Sequence, residues 1–228
     1  MSPDWHAVLD ELNENGVAVT GPLLSAETCA SLSGLYDDDA AFRSHIVMRR
    51  HGFGEGEYKY LAYPLPDDVA RLRTEIYPRL VPLANAWMER VGSSIRYPDT
   101  HDAFLERCHA AGQTRPTPLV LRYGPGDYNC LHQDLYGEHV FPIQLTILLD
   151  QPGKTFTGGE FVLTEQRPRM QSRAEVVPLA QGEGVLFAVN ERPRRGTRGD
   201  YKVQMRHGVS RVRSGRRHTL GVIFHDAT

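Results

Sequence analysis

The sequence predicts an α+β fold, with helices in the first half buttressing a jelly roll of about eight strands in the second. Three observations predict it. Up to Pro116 apolar residues recur at helical spacing; beyond it they alternate with polar residues or form short apolar runs. Glycine-rich turns separate those runs. No Ser/Pro-rich linker divides the halves, so residues 1–228 read as one domain, mostly helical over 1–116 and a β core over 117–228.

Residues 4–14 form the first predicted helix, with Trp5, Val8, Leu9 and Leu12 on one face and Gly16 as its stop. Val17-Ala18-Val19 reads as a short strand ended by Gly21-Pro22. Ser25 is a plausible N-cap for a second helix, whose face holds Cys29, Leu32 and Leu35 and which the Asp37-Asp38-Asp39 run ends. Residues 43–66 mix glycine, aromatics and base, and glycines at this density imply tight turns or close backbone approach. One reading is a substrate-recognition loop, in which Tyr58 and Tyr60 stack on a flat group while Arg49, Arg50 and Lys59 hold an anion. The other is a decorated hairpin covering the barrel.

Pro66-Asp67-Asp68 opens a long helix through Val91, with acids where the helix dipole favours them. Pro78 and Pro82 should kink or split it. A further helix spans 103–110 and closes at Gly112. The predicted strands are 118–123, 129–134, 142–150, 159–164, 175–179, 184–189, 201–207 and 219–225.

Composition excludes several classes. With 40% apolar residues the chain buries a real core, and a net charge of −2 gives no global field toward nucleic acid or membrane. The start, from Met1 to His6, lacks a basic region followed by an apolar run, so no signal peptide is expected. No window approaches the roughly 18 apolar residues of a membrane span. Cys29, Cys108 and Cys130 share no close spacing, which fits reduced thiols in a cytoplasmic protein. Cys130 reads first as a small buried hydrophobe and second as a pocket-lining residue.

The chemistry concentrates at Leu131-His132-Gln133-Asp134 and at His207-Gly208-Val209-Ser210. Two histidines and a carboxylate in the order His-x-Asp…His suit a facial triad for non-haem Fe(II), which leaves three coordination positions open. In a strand, residues i and i+2 share a face roughly 6–7 Å apart, so one metal can take His132 and Asp134 while Gln133 turns away. Tyr123 stands nine residues before His132, and Arg217 ten after His207. A guanidinium fork suits a carboxylate, and a phenol adds a further hydrogen bond. A zinc hydrolase would leave Tyr123 and Arg217 unexplained, and the chain has no His-Glu-x-x-His helix.

This pattern, completed by Gly215-x-Arg217, resembles the Fe(II)/2-oxoglutarate dioxygenases, closest to the prolyl-hydroxylase branch. The resemblance runs from about Leu119 to Phe224. It implies a double-stranded β-helix, with His132, Asp134 and His207 as iron ligands. Arg217 would bind the distal carboxylate of 2-oxoglutarate and Tyr123 would assist it. O₂ would be the co-substrate, decarboxylation of 2-oxoglutarate to succinate would drive oxidation of an unactivated C–H bond, and no catalytic side chain beyond the ligands is implied. Gly158-Gly159-Glu160 resembles the Gly-Gly-Glu turn of such barrels, which allows tight strand packing. His218 and His225 are expected to be structural or surface residues.

Ten basic residues fall between Arg192 and Arg217, against one acid, Asp200. Arg192-Pro-Arg-Arg-Gly-Thr-Arg198 therefore reads as an exposed basic loop at the mouth of the site, with Arg194, Arg195 and Arg198 as candidate phosphate contacts. The segment from Val185 onward, together with His51-Gly-Phe-Gly-Glu-Gly-Glu-Tyr-Lys-Tyr60, is similar to a bacterial 2-oxoglutarate oxygenase family predicted to remove alkyl groups from damaged nucleic acid. That resemblance implies alkylated DNA or RNA as partner, its base flipped or single-stranded. Leu121-Arg122-Tyr123 stands where AlkB-type repair dioxygenases carry Asn-x-Tyr, which keeps the barrel nearer the prolyl-hydroxylase branch. Two alternatives stay open: a hydroxylase of protein side chains or small molecules, and a non-catalytic binding module.

Overall fold

A computed structural model describes residues 3–135 and 137–228; the first two residues of the predicted leader-free start lie outside them. Helix α1 spans Trp5–Asn15, capped by Asp4 at Ala7 N and closed by Gly16 at φ 75°, where a left-handed backbone favours glycine. Strand β1 is Val17–Pro22 and helix α2 is Ala26–Gly34, with the Ser25 hydroxyl accepting from Thr28 N as the cap. The 43–66 segment is more ordered than a loop. It forms β2 (Phe42–Val47), a single helical turn over Met48–His51, β3 (Gly54–Glu55) and β4 (Glu57–Leu61), with β2 and β4 paired as a hairpin.

Helix α3 runs unbroken over Asp67–Arg90, against the expectation that Pro78 and Pro82 would split it. Four-residue spacing puts Thr74, Pro78 and Pro82 on one exposed stripe, so the carbonyls that lose their donors face water. The opposite face buries Leu72, Ile76, Leu80, Val81, Ala84 and Trp87, and that packing holds the helix through both prolines. Helix α4 is His101–Ala110. Tyr77 of α3 meets Phe104 of α4 at 5.4 Å and Phe141 at 4.9 Å, which seats both helices on the β half. Arg73, buried in α3, pairs with the buried Asp226 at 2.9 Å and fixes the C-terminal segment beneath the helix.

The remaining strands are β5 (Leu119–Tyr123), β6 (Tyr128–His132), β7 (Ile143–Leu148), β8 (Phe156–Gly158), β9 (Phe161–Gln166), β10 (Arg173–Val177), β11 (Glu183–Ala188), β12 (Glu191–Gly196), β13 (Gly199–Val209), β14 (Val212–Gly215) and β15 (Arg217–Val222). A seven-stranded sheet has the order β1-β11-β7-β15-β5-β4-β2, and a second has the order β10-β9-β13-β6-β3, with β12 paired to β13. The eight predicted strands divide evenly: β5, β7, β11 and β15 in the first sheet, β6, β9, β10 and β13 in the second. Phe161 and Phe187, one from each sheet, meet at 5.0 Å across the interior.

The count of about eight was low. Among the described residues fifteen strands form. Strands β1, β2 and β4 extend the first sheet and β3 the second, so the N-terminal part, whose helices α1 to α4 outweigh its strands, also contributes to both sheets. β3 and β8 are two and three residues long, too short for any alternation to show.

Candidate metal and 2-oxoglutarate site

His132 is the last residue of β6, and its direct partner across the ladder is His207 of β13. Their ring centroids stand 4.2 Å apart. The ladder shifts register between His207 and Val209, a bulge of the kind that re-aims a side chain. Gly208 makes the approach possible: a Cβ there would lie 2.6 Å from Asn129 O. The strand predicted to reach Asp134 ends at His132, which corrects the shared-face argument for the pair. Gln133 leaves the ladder, its amide donating to Asn190 Oδ1 at 2.7 Å and to Met205 O at 2.8 Å. Asp134 is then turned inward, with Oδ1 3.4 Å from His132 Nε2 and Oδ2 3.4 Å from His207 Nε2. The ligand atoms of His132, Asp134 and His207 lie within 4.8 Å of one another, a spacing one metal ion can bridge.

The donor chemistry fits a divalent ion. His132 Nδ1 lies 2.7 Å from Cys130 O, and a carbonyl only accepts. Nδ1 therefore carries a proton, which leaves Nε2 as the atom that would give up its own proton and offer a lone pair to a metal. The His207 ring is packed against Phe187 at 4.5 Å and stacked on Phe161 at 6.0 Å. Burial alone would raise the Asp134 carboxyl, but hydrogen bonds from both histidines hold it well below the usual range. Burial pushes His132 down, and the Asp134 hydrogen bond and charge outweigh it, so the imidazole lies above its ordinary value. For His207 burial wins, aided by repulsion from His132, and its value is lowered.

Arg217 opens β15 directly opposite Tyr123 of β5. Its guanidinium is buried, 5.5 Å from the Tyr123 ring, and Nε and Nη1 have no hydrogen-bond partner among the described residues. A buried cation with unmet donors is expensive unless something anionic completes it, which is the property a carboxylate-binding arginine needs. Burial pushes the Tyr123 hydroxyl up, so it is held as a phenol; it accepts from Asn129 Nδ2 at 3.4 Å. The triad, Arg217 and Tyr123 line one cavity of about 220 Å³.

Tyr58 and Tyr60 also line that cavity, edge to face at 5.4 Å. Phe53, 47% exposed, lines it too and is stacked on His51 at 5.3 Å. The anion-holding role needs correction for Lys59 and Arg49, while Arg50 is exposed, and none of the three lines the cavity. Lys59 is buried, donating to Tyr36 O and to Asp39 Oδ1, and Arg49 pairs with Glu55. The basic run is no loop either. It is the β12–β13 hairpin, in which Arg192 is buried on Glu165 at 2.6 Å and Arg194 pairs with the same carboxylate at 2.8 Å. Arg195 faces Asp200 at the turn, Arg198 lies within that turn, and neither they nor Arg194 line the cavity. At roughly 3.3 Å per residue, the turn lies well along β13 from His207.

Cys130 is exposed on β6 and does not line the cavity, while Cys29 and Cys108 are buried. His218 is buried against Asp150 at 2.8 Å, and the buried His225 accepts from Phe141 N at 3.3 Å. Sequence reasoning missed Gln144, Thr146 and Thr219, buried polar residues on the cavity wall. The signal was present: in Ile143-Gln-Leu-Thr-Ile-Leu148, two polar residues alternate inside an apolar strand.

Comparison with known proteins agrees with this geometry. Residues 56–227 match the model of an oxygenase family described as catalysing oxidative methylation of damaged DNA. The chain is 51% identical over 164 residues to Uncharacterized protein Rv2227 of Mycobacterium tuberculosis, covering 72% of this chain and 70% of that protein. The fold is similar to a Pseudomonas putida prolyl-4-hydroxylase, at TM-score 0.57 and 14% identity over 98% of this chain and 99% of that one. It is likewise similar to a Trichoplax adhaerens prolyl hydroxylase solved with a hypoxia-inducible-factor peptide, at TM-score 0.61 and 13% identity over 96% and 87%. A Burkholderia pseudomallei 2OG-Fe(II) oxygenase matches at TM-score 0.57 and 15% identity over 98% and 92%. No helix among the described residues is long and apolar enough to cross a membrane. The chain belongs to this damaged-DNA oxygenase family.

Proposed function

We propose that the protein removes N-alkyl groups from damaged nucleic-acid bases by oxidation, using Fe(II), 2-oxoglutarate and O₂ on a double-stranded β-helix. The observation that carries this reading is the single cavity holding the triad, the carboxylate-seeking Arg217 and the aromatic residues Phe53, Tyr58 and Tyr60, in a chain whose family is tied to damaged DNA. Oxidation by O₂ takes a methyl group off as formaldehyde and does not add one, so the family's chemistry is read as demethylation.

His132, Asp134 and His207 would hold the iron, and Arg217 with Tyr123 would hold the distal carboxylate of 2-oxoglutarate. When bound, the metal supplies the oxidation of a C–H bond coupled to decarboxylation of 2-oxoglutarate. The residues of the chain do the rest. The Cys130 carbonyl fixes the His132 tautomer, Gln133 anchors the turn that aims Asp134, and Phe161 and Phe187 keep water from the His207 ring. Tyr58, Tyr60 and Phe53 present ring faces and edges to a flat group entering the cavity. A hydroxylated N-methyl carbon then falls apart to formaldehyde and the restored base.

Incubation with N-methylated single-stranded DNA tests this. Formaldehyde and succinate should form in equal amounts, dependent on Fe(II) and 2-oxoglutarate. Succinate with no formaldehyde from any methylated DNA or RNA would refute the nucleic-acid reading and leave the enzyme class standing. Hydroxylation of a protein side chain is the second reading, favoured by the likeness to a prolyl hydroxylase that binds a peptide; proline-rich peptides in the same assay test it. Arg195 and Arg198 remain proposed phosphate contacts, reached by strand lying along the hairpin, and binding through them would weaken steeply with salt.

A further inference from the structure

A second cavity, of about 270 Å³, shares only Arg217 and Phe161 with the first. Its walls are mostly apolar, with Leu148, Phe156, Val177, Pro178 and Leu179 among them. The guanidinium of Arg217 stands between the two spaces. Its carbon lies 5.5 Å from the ring of Tyr123, which lines the first, and 5.9 Å from the ring of Phe156, which lines the second.

Counting donors shows why this matters. A guanidinium carries five N–H bonds. Nε and Nη1 together hold three of them, and neither atom has an acceptor among the described residues. A carboxylate in the first cavity that grips the two terminal nitrogens end-on leaves the buried Nε donor unmet. Gly159 opens a route to it. A Cβ on Gly159 would lie 2.8 Å from Arg217 Cδ and 3.3 Å from Nε, and Gly159 lines the second cavity alone. The Nε side of the guanidinium is therefore bared toward the second cavity by the missing side chain. Two acids act on Arg217 through space, Asp150 and Glu160, the latter on the wall of the second cavity; Glu160 accepts from the Ser210 hydroxyl and Asp150 from His218, and neither is in ion-pair contact with Arg217 among the described residues.

We infer that the second cavity binds a small aliphatic monocarboxylate, its carboxylate on the Nε side of Arg217 and its tail against Phe156, Val177 and Leu179, in competition with 2-oxoglutarate. A carboxylate is the acceptor that a buried, unpaired cation favours most. Competition follows from charge. One guanidinium offsets one anion, and a second carboxylate against the same buried guanidinium repels the first. The site would thus let an apolar acid lower the affinity for the co-substrate without entering the cavity where the substrate binds. This inference rests on Arg217 being the 2-oxoglutarate arginine.

Hexanoate is the probe. Saturation-transfer NMR on the whole protein without added iron should show hexanoate binding that 2-oxoglutarate displaces. In the succinate assay, hexanoate at about ten times its own Kd should raise the apparent KM for 2-oxoglutarate roughly tenfold and leave kcat unchanged. Leu179→Trp, which fills the second cavity, should abolish both effects while KM without hexanoate stays at the wild-type value. Thr157→Trp, at an exposed rim position, serves as the second variant should Leu179→Trp not fold. Hexanoate binding unchanged in the folded variants would put it in the first cavity and overturn the inference, as would absence of binding at tens of millimolar. The two readings fail separately: if Arg217→Met left KM for 2-oxoglutarate unchanged, the arginine's proposed role would fall whether or not hexanoate bound.

Discussion

Arg217 and Tyr123 are direct register partners on β15 and β5, both fully buried, and the cation lies over the phenol ring. Their pairing sets a charged donor and a neutral phenol side by side in one wall of the cavity. Asp150 and Glu160 act on the arginine only through space, and its Nε and Nη1 have no hydrogen-bond acceptor among the described residues.

That arrangement predicts opposite effects on binding and on stability. Arg217→Met should raise KM for 2-oxoglutarate about ten- to a hundredfold, because a hydrogen bond to a charged group contributes roughly 1.5–3 kcal/mol. The same variant should melt no lower than wild type without 2-oxoglutarate, since it removes an unpaired buried cation. Thermal melts with and without the co-substrate, beside steady-state kinetics, check both halves.

Replacing His207 or Asp134 with alanine should abolish tight binding of Fe(II) or of Co(II) as a spectroscopic substitute, and with it succinate formation. A remaining pair of ligands holds the ion in too few positions. Calorimetric titration of the metal-free protein reads this directly, and wild-type-like affinity in either variant would remove the residue from the ligand set. A chelator should silence the wild type, and added Fe(II) should restore it.

Acid should destabilise the fold through two buried histidines that are not among the candidate ligands. Burial, reinforced by the charge of Arg73, lowers both His101 and His225 from 6.5 to about 4. The unfolded chain thus binds protons that the folded chain refuses, so stability is full above pH 6.5 and falls as pH drops toward 4. Each histidine contributes at most about 3 kcal/mol to that loss. His225 Nδ1 must stay unprotonated to accept from Phe141 N. Denaturant midpoints across that range should fall with acid, and His225→Gln should flatten the slope.

Glu165→Ala should destabilise by roughly 3–5 kcal/mol, because it strands the buried Arg192 and removes the partner of Arg194. Arg198→Ala, at the exposed turn, should change stability by less than about 0.5 kcal/mol. Comparable losses in the two would show that the hairpin is not organised by its buried carboxylate.

The candidate ligands were legible because two of the three sit two residues apart and the third precedes Gly215-x-Arg217 at short range. What was misread depended on partners distant along the chain. The basic run looked exposed because its neighbours are basic; its countercharge, Glu165, sits 27 residues before Arg192. Lys59 looked free for the same reason, with Asp39 20 residues away. Pro78 and Pro82 are helix breakers by local rule, yet their four-residue spacing put both on the wet side. His132 and Asp134 do come together, through a turn at Gln133 that no strand period describes.

The first sheet also decides what can be cut away. Strands β1 and β4, which come before Pro116, lie against β11 and β5. A fragment beginning after Pro116 would bare two long rows of unpaired backbone groups, the geometry on which chains add to one another and aggregate. The catalytic half is therefore no transplantable cassette, and a truncated preparation that fails would report on lost stitching and say nothing about iron.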